Sequence, residues 1–312
     1  MSGRWVVFSL ALAACGDNAP PTCGNFEAGG VVVSGGNVYW TDDNAGLDGS
    51  TPRGFVWRQA VSGGVPTRFA TIVGYPDRMT LAANALVVGG GCGGGIWSVP
   101  LDGRPAAMIA QVTDSDVCIH GVTVADQAVY FTSGGVWKAS LADGPVVELV
   151  PPPASFGCSN DIVVDATRAY WASSCYNTLS AVSLVGGPVT VIDQGSPEIG
   201  VGGYGAVARD ETNLYWAGDG AIKTMPLAGG PIATFATIAP ARVASIAVDV
   251  TTVFWTTVDG VFAAPRGGGS VGELATLEPA SSIIHGGGGP GLALDDTHVY
   301  SSSGCAPDQV PK

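Results

Sequence analysis

Charge is scarce in this chain of 312 residues: Asp, Glu, Lys and Arg together make up 12 % of it, about half the share of an ordinary soluble domain. Cations are scarcest, 13 Lys plus Arg against 26 acids, for a net charge of −13. Nucleic acid and anionic lipid surfaces both need clustered cations, so neither is an expected partner. Low charge does not mean disorder here, because a disordered acidic chain is also poor in apolar residues, and 46 % of these are apolar. Long helices are excluded by 47 Gly and 21 Pro, which cost a helix interior roughly 1 to 3 kcal/mol each. The Gly residues follow no three-residue period, so collagen is excluded too. Short strands and tight turns remain, hence an all-β domain.

Catalytic signatures are equally thin. The three histidines, His120, His285 and His298, form no HExxH-type spacing. No Gly-x-Ser-x-Gly elbow lies between a strand and a helix. The Gly-rich runs at 89–95 and 286–289 lack a following helix or Lys-Ser/Thr, so a phosphate-cradling loop is not expected.

The N-terminus carries an address. Arg4 precedes an apolar run of ten residues, Trp5 to Ala14, which reads as residues 1–14 of an export signal. Ten residues are half of what a membrane-crossing helix needs, roughly 20. The run ends in Leu12-Ala13-Ala14-Cys15, which resembles a bacterial lipobox, whose Cys becomes acylated and forms the new N-terminus. Residues 15–30, polar and Pro-containing at first, suit a tether. The expected location is the bacterial cell envelope, on its periplasmic or outer-surface side. The membrane is then a partner only through acylated Cys15.

Self-comparison gives the strongest signal. Tyr39-Trp40, Tyr170-Trp171, Tyr215-Trp216 and Phe254-Trp255 each follow a Val-rich segment and a polar turn. Val87-Val88, Tyr130-Phe131 and Tyr300-Ser301 stand in the same place in weaker copies, and the seven copies lie about 44 residues apart. A period of 40 to 45 residues with four strands per copy marks a β-propeller blade. The expectation is one domain over 31–312, an all-β propeller of four-stranded antiparallel blades. Seven blades are favoured, the last one short and closed against the N-terminal segment, with six as the alternative. Asp165, Asp210, Asp249 and Asp295 each stand five residues before the aromatic position, with a Thr two residues later. There they are read as acceptors of turn N–H groups. The recurrent Trp residues are read as wedges between blades.

Tyr39-Trp40-Thr41-Asp42 is a complete copy of the tetrapeptide of the low-density-lipoprotein-receptor-type YWTD propellers, and the chain resembles that family over about 31–305. The resemblance implies a propeller that mostly binds proteins, and it carries over no catalytic residue.

Setting Cys15 aside, six cysteines remain, an even number suited to an oxidising compartment. Five of them fall in loops on one face of the ring. Cys158 and Cys175 bracket one hairpin, Cys92 and Cys118 join neighbouring blades, and Cys23 is left for Cys305, so these three disulfides are expected. The same loops vary in length and hold eleven of the 26 acids, Asp77 and Asp161 among them, against Arg53, Arg78 and Arg242. Loops on a rigid scaffold are where binding usually resides. The binding-face candidates are Asp42, Asp43, Asp48, Tyr75, His120, Tyr176, Tyr204 and His285. Asp42, Asn44 and Asp48 offer a weak oxygen set for Ca²⁺, without EF-hand spacing, and no other cofactor is expected. The inner strands, such as Val122-Thr123-Val124 and Ile162-Val163-Val164, are apolar, which predicts a packed or passive central channel. The functional expectation is a non-enzymatic scaffold that binds an envelope protein or other ligand. The alternative is a lactonase-like hydrolase or lyase, for which His120, His285 and a loop acid would have to meet at the channel.

Replacing Cys15 by Ser is expected to move the protein from the membrane fraction to the soluble fraction with its thermal unfolding unchanged. Unaltered fractionation would contradict lipid anchoring.

Overall fold

The computed structural model describes residues 28–42, 53–91, 95–111, 118–142, 144–152, 159–174, 176–195, 205–238, 242–257, 259–276, 291–302 and 307–312. Every regular element among them is a β-strand. The strands form seven antiparallel sheets, each in simple sequence order, the up-and-down arrangement of propeller blades. Blades 1 to 6 have four strands. Blade 7 has three, Leu292–Leu294, His298–Ser301 and Asp308–Pro311. The six-bladed alternative is set aside. The short last blade keeps a third strand from the C-terminal residues, which the repeat count had not assigned.

In six of the seven blades, two kinds of hairpin join the first strand to the second. Blades 1 and 3 use two-residue turns with positive φ, at Gly35 and Gly36 (56° and 73°) and at Asp126 and Gln127 (47° and 61°). Such turns match the right-handed twist of paired strands. Blades 4 to 7 use the recurrent Asp. Asp165 Oδ1 accepts the Thr167 and Arg168 N–H groups at 2.6 and 2.7 Å, and Oδ2 accepts the Tyr170 hydroxyl at 2.7 Å. Asp210 and Asp295 repeat the pattern with Tyr215 and Tyr300. In blade 6 the aromatic is Phe254, which has no hydroxyl to give. There Lys312 lies over the Phe254 ring and its Nζ reaches Asp249 Oδ2 at 2.6 Å. For Asp295, burial alone would raise the carboxyl pKa, but the Tyr300 hydroxyl and the turn N–H groups hold it at about 2. The four Asp are turn-holders, as the sequence pattern indicates.

Each sheet buries its faces only against its neighbours. The first residue of each aromatic pair packs toward the next blade and the second toward the preceding one. Thus Tyr170 shares a cluster with Leu214 and Trp216 of blade 5, while Trp171 shares one with Tyr130 and Leu149 of blade 3. A second device recurs in all six four-stranded blades. The pairing of strands three and four shifts by one residue, leaving an extra residue in the fourth strand: Phe69, Ile109, Leu149, Ile192, Phe235 or Leu274. Each of these bulge residues packs against an inter-blade cluster. Phe69 meets Tyr39 edge-on at 5.2 Å, and Phe235 meets Tyr215 at 5.5 Å. A bulge re-aims a side chain, so an otherwise exposed outer strand gives one apolar group to the core.

The ring closes where Tyr300 of blade 7 packs with Trp40 and Trp57 of blade 1. A hydroxyl pins the same seam: Ser302 Oγ donates to the Gly29 carbonyl at 2.8 Å and accepts the Gly291 N–H at 2.7 Å. Thr132 Oγ1 makes the equivalent stitch from blade 3 to the Asn160 carbonyl of blade 4 at 2.7 Å. Between blades 6 and 7, Ser301 stands where Trp stands in four other blades, fully buried, and its hydroxyl has no partner among the described residues. An orphaned buried hydroxyl costs about 1 to 3 kcal/mol. Ser301→Ala is therefore expected to stabilise the protein by about 1 kcal/mol in urea unfolding. A loss of similar size would contradict this description of the seam.

Candidate functional site at the channel mouth

The first strands of the seven blades surround a central cavity of about 590 Å³. Its waist is lined in part by aliphatic residues of the inner strands, Val122, Val124, Ile162, Val164 and Ile246 among them, and in part by polar ones such as Thr123 and Ser245. A packed channel, one of the two expected forms, is thereby corrected. Seven inner strands make a ring too wide for Val and Ile side chains to fill.

Polar groups gather at the mouth on the face that carries the cysteine loops. Arg78 opens the inner strand of blade 2 (Arg78–Ala82) and Asp161 lies in that of blade 4 (Ser159–Val164). Both line the cavity. Arg78 Nε donates to the His120 carbonyl at 2.9 Å, tying blade 2 to the residue that enters blade 3. Asp161 uses Oδ1 on its own neighbour, the Ile162 N–H at 3.0 Å, and Oδ2 on the Val207 N–H of blade 5 at 3.4 Å. Burial pushes the Asp161 carboxyl pKa up, against the pull of Arg78 and of those two N–H groups. Its remaining exposure is toward the channel. His120 Nδ1 stands 4.0 Å from Asp77 Oδ2. Burial lowers the His120 pKa, with Asp77 opposing and Arg78 reinforcing the shift, so the ring is neutral at pH 7.

The backbone holds this mouth closely. Asp77 N–H donates to the Gly89 carbonyl and Tyr75 N–H to the Gly90 carbonyl, both at 3.1 Å. Gly91 has φ of +55°, and a Cβ there would meet the Tyr75 carbonyl at 2.2 Å, so only Gly fits. Ile119 N–H donates to the Gly91 carbonyl at 3.2 Å, which brings blade 3's entry loop beside blade 2's.

The opposite mouth is different. Two ion pairs form there, one of them Arg266 on Asp210 at 2.7 Å, and Arg266 also reaches the Val250 carbonyl at 3.0 Å. Arg209 is spent on the Val164 and Asp210 carbonyls, and Asp249 on Lys312.

Of the expected binding-face residues, the structure places His120 at the channel mouth, with Tyr75 on its rim and 36 % exposed. Tyr176 is exposed at the end of blade 4's second hairpin, apart from that cluster. Asp42 is not on the surface at all. It is 4 % exposed, at the end of a strand, and accepts the Trp57 Nε1–H on Oδ2 at 3.2 Å. Asp43, Asn44, Asp48, Tyr204, His285, Cys15, Cys23, Cys92, Cys158, Cys175 and Cys305 lie outside the described residues. The expected Ca²⁺ set thus has only Asp42 within them, and no group of three metal-ligating side chains occurs among the described residues. Cys118 is disulfide-bonded. The sequence reading placed Arg78, Asp77 and Asp161 on variable loops but missed that they meet. Their juxtaposition joins blades 2, 3 and 4.

No family model matches the chain, and a search of curated proteins finds no match. Solved structures do match. A structure titled as a nidogen/laminin complex aligns over 70 % of this chain and 85 % of that one, at 17 % identity and a TM-score of 0.54. The extracellular domain of a putative one-component system from B. thetaiotaomicron aligns over 95 % of this chain and 39 % of that one, at 12 % identity and TM-score 0.65. A computationally designed protein, Ika8, aligns over 95 % and 99 %, at 13 % identity and TM-score 0.60. These likenesses agree with the β-propeller fold and show the fold alone.

Asp42 generates a signed prediction. Burial raises its pKa to about 6, outweighing the Trp57 hydrogen bond, and its Oδ1 has no partner among the described residues. An unfolded Asp titrates near about 3.9. The folded state therefore holds this proton more tightly, and Asp42 disfavours folding increasingly as pH rises from about 4 through about 6. Asp42→Asn is expected to gain about 1 to 3 kcal/mol at pH 7.5 and almost nothing at pH 4, read by urea unfolding. Destabilisation at pH 7.5 would mean instead that a cation partners the carboxylate.

Proposed function

We propose that this chain is an envelope-anchored lipoprotein whose propeller binds a ligand, without catalysis, at the channel mouth on the cysteine-bearing face. The observation that carries the reading is the pair Arg78 and Asp161, charged groups lining one end of a cavity of about 590 Å³ whose walls mix polar and apolar groups. Binding sites are typically apolar concavities with a few convergent polar groups. The fold's neighbours in the nidogen/laminin complex and in an extracellular bacterial domain are consistent with a binding role outside the cytoplasm. The proposed disulfides would brace this face. The Ile119–Gly91 hydrogen bond supports the Cys92–Cys118 pair, and the Ser159–Ser173 pairing supports Cys158–Cys175. The Ser302–Gly29 stitch likewise supports Cys23–Cys305.

One observation favours a second reading. A neutral His120 beside Asp77 is the kind of pair that serves as a general base, so a hydrolase or lyase working at this mouth is the alternative.

Thr123 lines the cavity from blade 3 and is partly exposed to it. Thr123→Trp should plug the channel while leaving the inter-blade clusters in place. Small-molecule library hits that raise the wild-type melting temperature are expected to lose at least tenfold in affinity for this variant. Hits that bind both proteins alike would place the binding site elsewhere.

A further inference from the structure

Two opposite charges line one end of the channel without satisfying each other. No ion pair joins Arg78 to Asp161 among the described residues, although each acts on the other electrostatically. Among the described residues Arg78 uses only Nε, on the His120 carbonyl, and the two terminal nitrogens of its guanidinium have no partner among them. Asp161 holds two N–H groups, one of them at a long 3.4 Å, and retains lone pairs on both oxygens. The opposite mouth shows that this chain can pair its charges, since Arg266, Asp210, Lys312 and Asp249 are all matched there. A guanidinium fork with both tips free suits a carboxylate bidentately. A desolvated carboxylate suits an ammonium, and Asp77 beside it adds negative charge. Below both lies a waist whose lining includes Val and Ile of the inner strands beside Thr123.

Resting on the channel-mouth reading above, we infer that the ligand is a small zwitterion with an apolar side chain, a free amino acid or short peptide. Its carboxylate is held by Arg78, its ammonium by Asp161 with Asp77 nearby, and its side chain enters the waist. Specificity comes from both ends together. A ligand that lacks either charge leaves one buried partner unmatched, and a buried unpaired group is costly.

Isothermal titration of the full-length protein with L-leucine, L-leucinamide and N-acetyl-L-leucine tests this. Leucine should bind, with each single-charge analogue at least tenfold weaker. Arg78→Met should bring leucine down to the level of leucinamide, and Asp161→Asn should bring it down to that of N-acetyl-leucine. Equal binding of all three, binding of none, or an equal loss for all three in both variants would overturn the inference. Isovaleramide, which carries no charge, separates the two layers. If it binds wild type and is lost in Thr123→Trp while the charged pair makes no difference, the channel reading stands and the zwitterion falls. If leucine and its analogues bind and Thr123→Trp leaves them unaffected, the channel reading falls as well.

Discussion

The interleaving of aromatic side chains between blades is the interaction on which the rest of the structure depends. A single blade of a repeat ring cannot bury its apolar faces alone and needs its neighbours to cover them. Here each second strand sends one side chain forward and the next one back. These are large in all blades but the last, where Ser301 points back, so the sheets are covered by their neighbours. Trp40, Trp216 and Trp255 are the extreme cases, at 0 or 1 % exposed. Deleting such a side chain leaves a cavity and costs about 3 to 5 kcal/mol, a large fraction of a domain's total stability. Because packing runs blade to blade around a circle, no sheet is expendable and none is the core of the molecule.

The same arrangement makes the channel. Side chains of the inner strands are drawn sideways into the inter-blade clusters, as Ile162 and Val164 are drawn toward blade 3 and Val207 toward blade 4. What they leave at the axis is an open cavity rather than a filled core. The charged residues that line it stand at its two ends, where strands start and stop. At one end the turn chemistry consumes them, because Asp210 and Asp249 are committed to their hairpins as well as to Arg266 and Lys312. At the other end the connecting loops are longer and no such motif claims Arg78 or Asp161. A difference in loop chemistry between the two faces thus becomes a difference in what each face can bind.

Much of this was legible in the chain. The period, the aromatic pairs and the Asp-x-Thr turns are local patterns, and each is repeated often enough to outweigh its own irregular copies. The Asp turns could be assigned because an Asp two residues before a Thr and five before a Tyr has obvious acceptor work to do. Lys312 standing in for a hydroxyl that Phe254 lacks could not be assigned, since 58 positions separate the two. The fourth-strand bulges were hidden for a different reason. An extra residue such as Leu149 or Leu274 shifts the alternation that identifies strands, so the residue reads as one more apolar position. The channel mouth was missed because Arg78 and Asp161 come from separate blades, and only ring closure makes them neighbours. Asp42 was misjudged as a loop acid, being the last residue of its strand and turned against Trp57.

The central claim is that the seam between blades 7 and 1 holds the ring, and through it the channel mouth. Hydrogen–deuterium exchange on Tyr300→Ala, resolved by peptide, tests it most directly. The first strands of blades 1, 2 and 7 should lose protection together, including the segment that carries Arg78, while the paired strands of blades 4 and 5 keep theirs. Exchange confined to blade 7, with the Arg78 segment as protected as in wild type, would contradict the account.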